Sequence, residues 1–243
     1  MPVKEYVVKI SQSTDDASEL ETGGTVTTNG VGLVIGYFSQ NYISGYRFLN
    51  VEPPGTLIDV KLRVYGSKTI ASGAGFNSEI SPASKNNPAT FDKAINKGIT
   101  GRDYIKTSVE WNDYDEGLLY NQYFYSPDIK TLWDAQIAID GADPPYDVQY
   151  MIKGVGGVGL ATINLTSYDG DATNAPALVF RYYDDVDANI VVETDSILSI
   201  IVEDGDTLNL MVETDSELSV VAEQAERLSV VAKEENVLPL EVE

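Results

Sequence analysis

Five aromatic side chains fall within fifteen positions of this chain: Trp111, Tyr114, Tyr120, Tyr123 and Tyr125, with Asn112, Asp113, Asp115 and Asn121 set between them. That mixture suits sugar. An aromatic ring covers the apolar face of a pyranose, and carboxylates or amides bond its hydroxyls. Trp111, Asp113, Tyr114 and Tyr123 are the residues expected to meet a glycan. The same composition also suits a core or a subunit contact, since interfaces favour Tyr and Trp; in that reading Trp111 and Tyr125 are core. Both readings stay open from sequence. Glu110, Asp113 and Asp115 would supply the two carboxylates that glycoside hydrolysis needs. Nothing in the sequence sets their separation, and among 38 acidic residues a neighbouring pair arises by chance. No enzymatic activity is expected.

A second set is acidic: Asp15, Asp16 and Glu19, with Asp169 and Asp171 far along the chain. Hard oxygen ligands suit calcium, and a structural Ca2+ between the first and last strands of a sandwich would use this set. The alternative is solvated loop carboxylates. The acids at Glu203, Asp204, Asp206, Glu213 and Asp215 raise the same question, because like charges stacked in register repel. Gly154-Val-Gly-Gly-Val-Gly159 has the spacing of a dinucleotide fingerprint. That motif needs a helix after it, whereas Ala161–Leu165 reads as a strand, so a turn between strands is expected.

Composition excludes several chemistries. The chain has no histidine and no cysteine, which removes His-dependent triads, thiol nucleophiles and the usual zinc sites. A net charge of -22 opposes nucleic acid and anionic lipid. The first ten residues contain no long apolar run, so no secretory signal is expected. No stretch reaches the ~20 apolar residues of a membrane helix.

These residues need elements to position them. Short apolar runs rich in Val, Ile, Tyr and Thr occur at 6–10, 32–37, 45–51, 57–65, 137–139, 147–152, 160–165 and 177–182, separated by Gly, Pro, Asn and Ser. The pattern predicts an all-β sandwich over residues 1–185. One helix is expected over Ser126–Trp133, with Ser126 as N-cap and Pro127 in its first turn. Residues 71–96 read as a long loop with a short helix near 89–95.

Residues 186–243 form a second region, a repeat of ten. Leu198, Leu208, Leu218, Leu228 and Leu238 lead each unit, and polar turns such as Asp204-Gly-Asp-Thr207 separate the strands. Alternation puts Leu198, Ile200, Val202, Leu208, Leu210, Val212, Leu218, Val220, Leu228 and Val230 on one face. Val191, Ile201, Met211, Val221 and Val231 make the opposite face apolar too. A strand apolar on both faces needs cover on both sides. A ten-residue unit is short for a single-chain solenoid coil, whose repeats run ~20–45 residues. The arrangements expected to provide the cover are strands donated by several chains, a homotrimer above all, a self-stacked sheet, or a meander lying on the rest of the protein.

Several patches in order resemble a known family. They are Ser13-Thr-Asp-Asp-Ala17, Gly45-Tyr-Arg-Phe-Leu-Asn-Val51, Pro54-Gly55 with Ile58, Val109-Glu-Trp111, Tyr125-Ser-Pro-Asp-Ile129, Ser167-Tyr-Asp-Gly170 and Ala175-Pro-Ala-Leu-Val179. Over about residues 5–183 the chain resembles the carbohydrate-binding-module-like jelly-roll modules of bacterial surface proteins. It departs from them at Gly141-Ala-Asp-Pro-Pro-Tyr146, where the family carries a Gly-Trp turn. The resemblance implies a jelly roll without catalytic residues in a surface setting. Combined with the repeat stem and the absence of a signal, it leads to the expectation of a bacteriophage virion protein, a capsid decoration, head fibre or tail-associated fibre, contacting other virion proteins and surface glycans. A solitary carbohydrate-binding module is the alternative, and a glycan-active enzyme a third.

Overall fold

In a computed structural model, the described residues are 3–37, 40–70, 76–113, 121–139, 143–155 and 161–183, and in the repeat 188–192, 199–202, 207–212, 219–222, 227–232 and 241–242. The chain divides into two units, Glu5–Tyr182, and Tyr183–Glu243 together with Met1–Lys4.

Among its described residues the first unit is all-β apart from one helix. Its strands are β1 (Val3–Lys9), β2 (Asp16–Leu20), β3 (Val26–Thr27), β4 (Gly32–Tyr37), β5 (Asn41–Val51), β6 (Thr56–Ile70), β7 (Phe76–Pro82), β8 (Val109–Asp113), β9 (Tyr123–Tyr125), then α1 (Lys130–Ile137), β10 (Tyr146–Gly154), β11 (Ala161–Thr166) and β12 (Ala177–Tyr183). They join in a twelve-stranded sheet with the path β1-β12-β6-β11-β4-β5-β10-β7-β8; β2 and β3 attach at β5, and β9 attaches at β6. The long strand β6 pairs antiparallel with β9 through Arg63–Tyr65 and with β11 through Gly66–Ile70.

Alternation along these strands makes the core. Tyr46, Phe48, Leu62, Val64, Tyr150, Ile152 and Phe180 are fully buried in one cluster, each contributing about 1.5–3 kcal/mol of apolar burial. The centre of β5 is buried on both faces, as Ile43–Tyr46 show. Its even residues face this core. Ile43 faces a second cluster with Ala17, Val26, Phe91 and Ile99. The cover that β5 needs on that side is residues 83–105, which fold over the strand.

Three expectations are corrected. The helix begins at Lys130 rather than after Ser126. The chain after β9 still bonds to β6: Ser126 N–H donates to Leu62 O at 2.8 Å, and Ile129 N–H to Val60 O at 2.7 Å. Ser126 Oγ accepts from Leu62 N–H, so it is not free to cap. Residues 137–139 finish that helix and its following turn instead of making a strand. No helix forms at 89–95: Phe91 N–H goes to Thr14 O, and Asp92 Oδ1 accepts Ala94 N–H in a local turn that competes with helix bonds.

The repeat has strands β13 (Ala188–Val192), β14 (Ser199–Val202), β15 (Thr207–Val212), β16 (Ser219–Ala222), β17 (Arg227–Ala232) and β18 (Glu241–Val242). They form two three-stranded sheets, β13-β15-β17 and β14-β16-β18. Both are parallel, and each residue pairs with the one twenty positions on: Ala188 with Leu208, Leu208 with Leu228, Ser199 with Ser219. A meander needs antiparallel neighbours, so that arrangement is excluded. These registers join strands of one chain. Successive decapeptide strands fall in alternate sheets, so partners in a ladder stand twenty residues apart, within the range of single-chain solenoid repeats. Ile200 pairs with Val220, Val202 with Ala222, Leu210 with Val230 and Val212 with Ala232. Leu198 and Leu218 lie outside the described residues, as do the acids at 203, 204, 206, 213 and 215.

Candidate functional site

The ladder between β6 and β9 sets Arg63 opposite Tyr125, Val64 opposite Phe124 and Tyr65 opposite Tyr123. Period-two alternation then separates two faces. Val64 and Phe124 point inward, and Phe124 meets Trp111 with ring centroids 5.5 Å apart. Tyr123 and Tyr125 point outward, 39% and 48% exposed. Tyr65 meets Tyr123 edge-on at 5.0 Å, and the Arg63 guanidinium sits 4.7 Å from the centre of the Tyr123 ring. Tyr123 Oη donates to Asn174 Oδ1, which fixes the ring at its polar end.

The result is an outward face of three tyrosines braced by a cation. Tyrosine rings on a surface offer apolar faces to a sugar and hydroxyls to its polar edge. Arg63 Nε is buried with no hydrogen-bond partner among the described residues. The guanidinium is therefore positioned by the ring beneath it, a cation–π contact of about 0.5–2 kcal/mol.

The residues expected to meet a glycan are distributed differently. Trp111 is 4% exposed and belongs to the core, so it is not a platform. Its strand β8 pairs with β7, Trp111 opposite Ser78, and the buried Ser78 hydroxyl donates to Trp111 O at 2.8 Å. Asp113 ends β8, opposite Phe76 in the ladder; Tyr114, Asp115 and Tyr120 lie outside the described residues. Tyr123 is on the exposed face, and Tyr125 is exposed rather than core. Arg63 and Tyr65 are not among the residues the sequence singles out. Their signal was the match between Arg-Val-Tyr in β6 and Tyr-Phe-Tyr in β9, each with one inward apolar residue between two outward ones.

The acidic set is engaged with the protein itself. Asp15, fully buried, accepts from Arg47 Nη1 at 2.9 Å. Arg47 also reaches Asp147 Oδ2 at 3.0 Å and Pro88 O at 2.6 Å. Glu19, 1% exposed, accepts the N–H groups of Ile99 and Thr100 at 2.8 and 3.1 Å. Asp169 accepts from Ser13 Oγ at 2.7 Å, and Asp171 accepts Thr173 N–H at 2.8 Å. Asp16 accepts Tyr168 N–H at 2.7 Å. Burial first, then the charges of Asp169 and Asp15, push its pKa up to about 7, against the lowering effect of the Tyr168 bond. Among the described residues no three His, Cys, Asp or Glu side chains are placed to hold a metal ion. Residues 156–160 of the glycine-rich run lie outside the described residues, and β11 follows them as a strand, so no helix completes the dinucleotide motif.

No family model matches the chain, and no curated protein matches it. Among solved structures it is similar to the Agl-KA catalytic domain at 8% identity and a TM-score of 0.26, over 94% of this chain and 44% of that one. A likeness that low carries no argument about fold or activity, and the chain spans less than half the length of that structure.

Proposed function

We propose that the chain is a non-enzymatic structural protein carried on the surface of a particle such as a bacteriophage virion, a jelly-roll-like head joined to a stem of stacked coils. The observation that carries this reading is the twenty-residue parallel register of the repeat. A ladder that stacks its own side chains adds length one coil at a time and needs no ligand to do so. The resemblance of residues 5–183 to surface modules supports the placement of the head outside. Its partners on this reading are copies of itself and other virion proteins. Immunogold labelling of intact particles from a lysate of the producing cells, with antibody raised against the head, tests it. Labelled particle surfaces are expected, and label confined to cell debris overturns it.

A second reading, that the head adheres to glycans, is favoured by the exposed ring face of Tyr65, Tyr123 and Tyr125 beside Arg63. A glycan array probed with the full chain and with Tyr125→Ala tests it: binding that depends on Tyr125 is expected, and a blank array leaves a scaffold.

A further inference from the structure

Residues 83–106 carry five of the sixteen Lys and Arg residues of the chain, Lys85, Lys93, Lys97, Arg102 and Lys106, against only Asp92 and Asp103. In a protein of net charge -22 this is a local reversal of sign. None of the five cations has an ion-pair partner among the described residues.

The segment lines an open cleft of about 310 Å³, at the lower end of the range for small-ligand sites. Lys85, Lys97 and Arg102 line it together with one acid, Asp103, and Pro88 and Ile95 contribute apolar wall. Ile95 is 55% exposed. The walls are fixed in advance. Arg102 stands 4.5 Å over the buried Phe91 ring. Its guanidinium donates to Gly98 O at 2.7 Å, Ala89 O at 2.6 Å, Thr90 O at 2.7 Å and Gln149 Oε1. All four acceptors are neutral, so the segment is tied together by a charge with no ion-pair partner among the described residues. Burial, and after it the neighbouring Arg47 charge against the opposing effect of Tyr104, holds the Arg102 pKa below its ordinary value. Glu19 and Gly24 clamp the other side: Glu19 bonds Ile99 and Thr100, and Lys97 N–H donates to Gly24 O at 2.7 Å.

A guanidinium and two ammonium groups without ion-pair partners among the described residues, gathered in one cleft with an apolar lip, raise the local concentration of anions. The size and the mixed lining select an anion on a compact organic body rather than a bare ion. We propose that this cleft binds a small organic anion of about the size of one sugar residue, carrying a carboxylate or a phosphate. Lys85 and Lys97 meet the anion, Arg102 supplies fixed potential, and Ile95 and Pro88 cover the apolar face of the ligand. This site is separate from the tyrosine face and does not depend on it.

Titration calorimetry on the full chain, with glucuronate, glucose 6-phosphate, glucose and inorganic phosphate, tests the proposal. One of the two sugar anions is expected to bind, glucose to give no heat, and added salt to weaken the signal. Glucuronate against glucose 6-phosphate tells carboxylate from phosphate. Replacing each lysine, Lys85→Gln or Lys97→Gln, should weaken binding by roughly tenfold, and the double variant should lose it. Both lysines are exposed, so their replacement does not endanger folding. The proposal is overturned if neither sugar anion binds, if glucose or inorganic phosphate binds as tightly as they do, or if the double variant binds like the original chain. Tyr125→Ala should leave this binding unchanged, which separates failure here from failure of adhesion at the ring face.

Discussion

The carboxylate of Glu19 accepts the backbone N–H of Thr100 at 3.1 Å and the Thr100 hydroxyl as well, across 81 positions of sequence. It accepts Ile99 N–H too, at 2.8 Å. One side chain on β2 thus satisfies three donors of the segment that covers β5. Removing it leaves buried donors unpaired, at about 1–3 kcal/mol for such groups. Glu19→Ala is expected to lower the denaturation midpoint and to expose residues 83–105 to protease before the rest of the head opens. An unchanged midpoint with an unchanged cleavage pattern would show that this clamp is dispensable.

Gly45 lies directly under the same segment. A Cβ there would collide with Cζ of Phe91, whose ring is 1% exposed and has no room to retreat. Gly45→Ala should cost about 1–3 kcal/mol through overpacking, read from urea unfolding. Phe91→Leu placed in the same chain should recover part of that loss, since the clash is with the ring.

Asp16 makes the head sensitive to pH. Its pKa is raised from 3.8 to about 7, with burial the largest cause. The folded state therefore holds a proton that the unfolded state has released above pH ~4, so stability falls as pH rises from about 4 to about 7 and levels off beyond it. The full effect is on the order of 4 kcal/mol. Asp16→Asn keeps an oxygen for Tyr168 N–H and removes the titration. The variant should be more stable than the original chain at pH 8 and lack its slope; parallel pH curves for the two would sink the assignment.

Trp111 and Tyr125 should respond in opposite ways. Trp111→Ala empties a core position and is expected to cost about 3–5 kcal/mol. Tyr125→Ala, on an exposed face, should stay within about 0.5 kcal/mol in thermal denaturation. If glycan is bound, only the tyrosine variant should lose it while staying folded.

Leu208 stands in register between Ala188 and Leu228. Stacked between two apolar residues, an aspartate would bring a charge into the ladder without a partner of opposite sign in register, so Leu208→Asp should unravel the repeat. Limited proteolysis should then remove residues beyond 183, while the head keeps its melting temperature. A repeat that resists protease as before would mean that this rung carries no weight.

What could be read in the sequence followed strict alternation. Gly32–Tyr37 is β4 as expected, and Ala177–Tyr182 falls within β12, because apolar and turn residues mark their faces and ends. β7 could not be read, because it lies in a Gly, Ser and Asn-rich stretch and is held by its neighbours β10 and β8 rather than by its own propensity. The candidate site divides the same way. The aromatic types around 111–125 were visible, but which ring faces water depends on the partner strand. Trp111 turned inward against Phe124, and Tyr123 gained Arg63 and Tyr65 from about sixty positions upstream. The period of ten was plain too, yet the pairing distance of twenty was not, because a repeat specifies what stacks and not how many units close a coil.

That register gives the stem a parity. Each decapeptide is assigned to one sheet by whether its place in the count is odd or even, and β13, β15 and β17 all fall on one side. Loss or gain of a single decapeptide sends every later strand to the opposite sheet, pairing Thr207–Val212 sequences with those of the Ser199–Val202 type. Loss or gain of two leaves every partnership intact. Length in such a stem is therefore quantised in steps of a whole coil, and lineages of this repeat should drift in size by even numbers of units.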